Sequence, residues 1–509
     1  MRKWAVAVVL VLAATEAARS ADIRPDAVLE HIRFLSADEM KGRANGTAEL
    51  DRAADYIAQQ FKTIGLESGG EHDYFAPFEL QVGLTVGADN RLVLRAGTRE
   101  IPFTLGTSYY PLAAPANENA AVRSTSLANV PLVFAGYGLS IPSIAYDDYA
   151  GLDVDGKAVL IFSHEPQERD SNSKFNGRRW MPQTTLQAKA AAARTRGAVA
   201  LLVVSDPSHG RDEANYAIFG VDPEAEDHGI PVLRIRRDEM RPLIAQWGLD
   251  TAASLIDKDT RPRSTPLKAA IDYSEQLTKN RRVVRNVVGI LRGSDATRRD
   301  EVVVIGAHYD HVGLGGHLSV TPERAGEIHN GADDNASGTA AIIEMARRAM
   351  SERTRFPRTL VFVAFAGEER GLLGSAHFTR TSPLANGMIA MLNLDMVGRA
   401  SGSVDVSGLE LSPSMEADLS AAVMAANVGL TIRREGPGAG RSDDASFIDR
   451  KVPAINFFTG FHDDYHRPGD DWEKIDAAGT RRVATLALEL AARLASRPTR
   501  PEFVAPKQQ

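Results

Sequence analysis

Apolar runs the length of a strand, Val302–Ala307, Leu360–Ala366, Ile389–Leu394 and Ala454–Phe458, punctuate the second half of the chain. They show no polar alternation and therefore have no solvent face, so they belong in a sheet covered on both sides. Helical stretches at Gly338–Met350, Met415–Ala426 and Arg481–Ala495 lie between and after them and supply the cover. Strand–helix alternation of this kind predicts an α/β fold with a mixed, mostly parallel central sheet flanked by helices.

At 509 residues the chain is too long for one core. From Ile23 to about Phe61 the apolar residues recur at helical spacing, and Gly65 is placed to stop that helix. Between about 119 and 280 the rhythm differs. Short apolar runs (Val130–Phe134, Ala158–Phe162, Ala198–Val204, Val232–Ile235) and one Ala-rich helix, Leu186–Ala193, stand between Gly, Pro and Asp punctuation. That zone reads as a smaller α+β module with its own core. At the front, Met1-Arg2-Lys3, an apolar run Trp4–Ala14 and Ala18-Arg19-Ser20 read as a signal peptide over 1–20. The run is far short of the ~20 residues a membrane span needs, so the expectation is export to periplasm or medium, without stable membrane insertion.

A net charge of −7 gives no basic bias towards nucleic acid. The absence of cysteine excludes thiol nucleophiles, iron–sulfur clusters and Cys-bound zinc, so any metal must sit on His, Asp and Glu. Seven of the 12 histidines fall between His308 and His466. The predicted strands end in such donors, as sites at the carboxyl edge of an α/β sheet do. His308-Tyr309-Asp310-His311 follows the first, and Asp310, two residues on, can orient the imidazole of His308. Gly331-Ala332-Asp333-Asp334-Asn335 is a small-residue loop offering carboxylates at close approach. Glu368-Glu369 follows the second strand; neighbouring carboxylates point apart, so one can bind metal while the other handles a proton. Asp395 follows the third, and Tyr465-His466 comes last. Singly, each is more often a cap or a solvated pair. Together, two imidazoles and three carboxylates match two zinc ions sharing one carboxylate. His311, His317, His329, His377 and His462 are expected in structural or solvent-facing roles, and Ser171-x-x-Lys174 and Gly436–Gly440 as a chance pattern and a loop lining the cleft.

These motifs in this order resemble peptidase family M28, in the subgroup of bacterial zinc aminopeptidases with an inserted protease-associated (PA) domain. Tyr146-Asp147-Asp148-Tyr149-Ala150-Gly151-Leu152 resembles the start of the PA module, and Gly42-Arg43 part of the N-terminal segment. The resemblance implies a zinc-exopeptidase-like fold, with 22–118 and 281–498 forming the peptidase domain, 119–280 the inserted module and 499–509 a flexible tail. It implies two Zn2+ per chain, held by His308 and Asp395 on one side and Glu369 and His466 on the other, with Asp334 as the bridge. The peptide bond after Asp334 is cis in the family. Glu368 matches the general base, Asp310 the orienting carboxylate, Tyr465 a phenol aiding the oxyanion, and Arg441 a residue near substrate. The implied reaction is attack of a metal-bridging water on the scissile carbonyl of peptides with a free amino end. A carboxypeptidase, a glutaminyl cyclase-like transferase and a non-catalytic binding protein are the competing readings; oligomeric state is left open.

Overall fold

The computed structural model describes residues 22–87, 89–112, 122–168, 170, 172–175, 181–207, 229–316, 318–321, 324–434 and 440–504. The expected leader, Ser171, His317, most of the 436–440 loop and the last residues of the expected tail lie outside the described residues. The chain divides into two compact units, Met1–Leu80 with Arg282–Gln509, and Gln81–Arg281. Among the described residues no helix is long and apolar enough to cross a membrane.

In the first unit the predicted apolar runs are strands β1 (Val302–His308), β2 (Thr359–Phe365) and β3 (Met388–Leu394). Shorter strands follow at β4 (Ser403–Ser407), β5 (Thr431–Arg433) and β6 (Ala454–Phe458). β1 pairs in parallel with both β2 and β3, and β3 in parallel with β6. Antiparallel partners close the flanks: β4 on β6, and Val287–Leu291 on β2. Every residue of β1, β2 and β3 is buried, as a doubly covered sheet requires. Val304, Val361, Phe365 and Met391 pack with Phe378 and Phe447 on one face.

Cover comes from α1 (Pro25–Leu35), α2 (Ala48–Ile64), α3 (Gly338–Ser351), α4 (Leu373–Thr381), α5 (Met415–Ala426) and α6 (Ala477–Ser496). α2 is well specified by its sequence. Thr47 caps it by accepting the Leu50 amide, its buried face runs Leu50, Ala53, Ala54, Ile57, Ala58, Phe61, and Gly65 ends it at φ +89°. The single helical pattern expected from Ile23 to Phe61 is broken, however, by a turn at Asp38–Arg43 in which Lys41, Gly42 and Arg43 take positive φ. Packing requires this, because a Cβ on Gly42 would lie 2.3 Å from the His329 carbonyl oxygen and 2.5 Å from that of Gly313.

The second unit is also α/β. Strands Val122–Phe134, Ala158–Phe162, Ala200–Val204 and Val232–Ile235 run parallel in that order, beside helices Leu186–Arg194, Arg237–Gln246 and Leu249–Asp259. The hairpin Arg91–Ala96/Arg99–Phe103 belongs to this unit, pairing with Ala270–Ser274.

Candidate metal centre

The candidate donors gather at the carboxyl edge of the parallel strands, where side chains escape the packed sheet. His308 is the last residue of β1, Glu368 and Glu369 follow β2, and Asp395 follows β3. Asp334 lies in the turn Ala332–Ser337 that enters α3, and the Asp334–Asn335 peptide bond is cis. His466 comes from the loop after β6.

Two donor groups form around one carboxylate. Nε2 of His308 lies 3.3 Å from Oδ1 of Asp334 and 3.2 Å from Oδ1 of Asp395. Nε2 of His466 lies 3.2 Å from Oδ2 of Asp334 and 3.1 Å from Oε2 of Glu369. Asp334 thus turns a different oxygen to each imidazole. Donor atoms bound about 2.0–2.2 Å from a tetrahedral cation lie about 3.3–3.5 Å apart, so each group has the dimensions of a metal site. The chemistry fits as well. Asp310, Asp333, Asp334 and Asp443 are buried together with Glu368, Glu369 and Asp395 nearby, an excess of carboxylate over imidazole that favours divalent cations.

The electrostatics separate the two glutamates. Burial pushes the Glu368 carboxyl well above its ordinary value; His308 opposes this, while Asp395, Glu369 and Asp443 add to it. Burial acts on Glu369 too, but His466 and hydrogen bonds with His311 and His466 hold that carboxyl at about 2. Burial disfavours the Asp334 anion, and hydrogen bonds with His308 and His466 overcome it and place the group well below the usual carboxylate range. Glu368 stands off at 3.9 Å from His308 Nε2, lining the cavity without joining either group. Burial, reinforced by Asp334 and Glu369, raises the Tyr465 phenol, so it stays protonated and stacks on the His466 ring at 4.0 Å between centroids.

Asp310 differs from the sequence expectation in detail. Nδ1 of His308 faces the main-chain carbonyl of Asp310 at 3.1 Å, while the carboxylate is 3.9 Å away. That carboxylate instead accepts the Glu368 and Glu369 amides at 3.2 and 3.3 Å and the Asn45 side chain at 2.7 Å. It therefore holds the main chain that carries both glutamates. Arg441 lines the cavity with Ser442, and Met396, Phe458 and Phe461 form an apolar wall.

Further residues shape the site through contacts between segments remote in the chain. Asp470 accepts the amides of Asp333 and Asp334 at 2.9 and 3.0 Å and pairs with Arg399 at 3.0 Å. The wholly buried Arg43 donates to the carbonyls of Leu35, Tyr309, Asn330 and Gly331, tying the turn before Asp334 to the N-terminal segment. His329 bonds Ser319 at 2.8 Å and His462 lies 3.2 Å from Asp333. His311 is buried beside Glu369, at 2.8 Å.

Comparison with known proteins agrees with this arrangement. Residues 286–491 match peptidase family M28, and residues 124–243 match the PA domain. The chain carries a peptidase family M28 domain together with a PA domain. Among curated proteins it resembles leucine aminopeptidase 1 of Trichophyton rubrum, 40% identical over 123 residues, which is 23% of this chain and 30% of that protein. Leucine aminopeptidase 1 of Arthroderma gypseum is 37% identical over 116 residues, 21% of this chain and 28% of the relative. The match thus spans under a third of these relatives' length. The aminopeptidase from Aneurinibacillus sp. strain AM-1 shares the fold over 96% of this chain and 97% of its own, with TM-score 0.58 at 22% identity. A zinc aminopeptidase from Bacillus subtilis does so over 92% and 94%, with TM-score 0.53 at 20% identity. The mixed, mostly parallel α/β sheet with an added PA domain is the fold expected from the sequence.

Proposed function

We propose that this chain is a zinc-dependent aminopeptidase with two cations per chain. One observation carries the reading: the two oxygens of Asp334 face His308 and His466 separately, at 3.3 and 3.2 Å, so one carboxylate serves two donor groups. His308, Asp334 and Asp395 would hold one zinc, and Asp334, Glu369 and His466 the other, with a ring nitrogen of His311 also within 4.8 Å of that second group's donor atoms. Bound there, two divalent cations supply a water acidified towards neutrality and a polarised substrate carbonyl.

The chain's own residues do the remaining work. Glu368, left out of both groups and made more basic by burial, accepts the proton of the attacking water and returns it to the leaving amine. The neutral Tyr465 phenol donates a hydrogen bond to the developing oxyanion. Asp310 fixes the Glu368 amide and so the base's position. Surplus carboxylates near the cleft attract a substrate's free α-ammonium, which favours cutting from the amino end. Met396, Phe458 and Phe461 offer an apolar wall for the first side chain, with Arg441 beside it near the substrate. The names of the leucine aminopeptidase relatives support the same direction. The charged head, apolar run and small-residue exit within residues 1–20 support export.

The test is digestion of a peptide mixture with amino-blocked and carboxy-blocked controls, by wild type and by Glu368→Gln. Wild type should release N-terminal residues, apolar ones fastest, and spare amino-blocked peptides. Glu368→Gln should lose about 10²–10⁴-fold in kcat with zinc near two per chain. Cleavage of amino-blocked peptides, or full turnover in Glu368→Gln, contradicts the reading.

A further inference from the structure

His311 belongs to neither donor pair required above, yet the fold spends several features on placing it. Its main-chain N–H donates to the Arg43 carbonyl at 3.2 Å. Its ring stands edge-on to that of His466, at 5.5 Å between centroids and 84° between planes. Gly331, at φ +58°, lies flush against the imidazole: a Cβ there would come within 2.5 Å of the His311 ring carbon Cδ2. The ring is therefore wedged between the glycine-floored turn that presents Asp334 and the loop that presents His466. It is 1% exposed.

Two roles are open to a histidine so placed, metal ligand or support for a ligand, and the distances separate them. His308 and His466 each face oxygens of two different carboxylates at 3.1–3.3 Å, as an imidazole sharing a cation with both would. Nδ1 of His311 lies 2.8 Å from Oε1 of Glu369, which is hydrogen-bond length, and 3.9 Å from Asp334 Oδ2. It also meets the oxygen of Glu369 that His466 does not. A metal-binding carboxylate is ionised and only accepts, so Nδ1 carries the proton and donates it. Nε2 has no hydrogen-bond partner among the described residues, so no further side chain shares this ring's attention.

We infer that His311 is a positioning residue: it ties down Oε1 of Glu369, leaves Oε2 as the single oxygen turned towards His466 and Asp334, and thereby sets the affinity of the second cation position. This rests on the two-cation reading above. Fixing a ligating carboxylate from outside the coordination sphere removes the freedom the carboxylate would lose on binding, and loss of such a support costs about 10–100-fold in metal affinity.

The experiment is stepwise zinc competition against a chromophoric chelator, on the full-length protein, for wild type, His311→Ala and His311→Asn. Asn presents an N–H near the position of Nδ1 but is a poor zinc ligand. Wild type should bind two zinc ions. His311→Ala should weaken one step about 10–100-fold and leave the other unchanged, the unchanged step reporting an intact fold. His311→Asn should recover the weakened step to within about threefold of wild type. Equal affinities in wild type and His311→Ala overturn the inference. Equal weakening in Ala and Asn also overturns it, making His311 a ligand instead. A wild type that binds fewer than two zinc ions refutes the underlying reading, a result distinguishable from both.

Discussion

Asp148 in the second unit and Asp334 in the first are both buried carboxylates, and their surroundings answer the same electrostatic problem in opposite ways. Asp148 is satisfied from within: it accepts the Tyr137 and Leu139 amides at 3.0 Å each and the Tyr146 hydroxyl at 2.8 Å, with the buried Lys189 as counter-charge. Lys189 in turn donates to the carbonyls of Phe162 and His164. The two oxygens of Asp334 instead face the imidazoles of His308 and His466, the proposed metal donors, where Asp148 meets amides, a hydroxyl and a lysine. A buried carboxylate met by main-chain amides, a hydroxyl and a lysine has a structural set of partners, whereas one whose oxygens face two imidazoles has the partners of a metal site.

The sharpest break between the two clusters comes from Asp334→Asn. With the shared carboxylate neutralised, zinc content should fall below one per chain and kcat by at least about 10³-fold, by metal analysis and peptide assay. Zinc content near two would show that Asp334 is not the bridge. Chelation should divide the units next: hydrogen exchange should rise around His308, Asp334 and His466 and stay unchanged around Asp148 and Lys189. Uniform loosening would erase the distinction. In the other direction, Asp148→Ala strands two amides and a lysine, so unfolding stability should drop by about 3 kcal/mol while zinc content holds. Urea titration with parallel metal analysis checks both.

The smallest effect is a pH slope. Burial pulls the Lys189 ammonium from 10.5 down to about 7, Asp148 opposing it. Below that value folded and unfolded chains both hold the proton. Between it and 10.5 the unfolded chain keeps a proton that the folded one has released, so the cost of burying this group shrinks as pH rises. Wild-type urea midpoints, measured relative to Lys189→Met, should increase from about pH 7 to about 9.5. A flat difference would mean that Lys189 stays charged in the fold.

Legibility in the sequence followed the same physics. Strands β1, β2, β3 and β6 were readable because a strand covered on both faces is apolar throughout, and their ends marked where donors emerge. The long strand Thr265–Leu291 was not: Ile271, Tyr273 and Leu277 alternate with polar neighbours as a one-faced strand does, but the buried Glu275 interrupts the apolar face. The turn at Asp38–Arg43 escaped because its cause is the approach of carbonyls from residues 313 and 329, remote in the chain. His311 and Asp470 were hidden for a like reason: what they do depends on Glu369 and on the Asp333–Asp334 amides, and no local pattern encodes such a meeting.

The most direct measurement is anomalous diffraction at the zinc absorption edge from crystals of the zinc-loaded protein. Two peaks are predicted, one about 2.0–2.2 Å from donor atoms of His308, Asp334 and Asp395, the other equally close to Asp334, Glu369 and His466. A single peak, or peaks away from Asp334, would contradict the account.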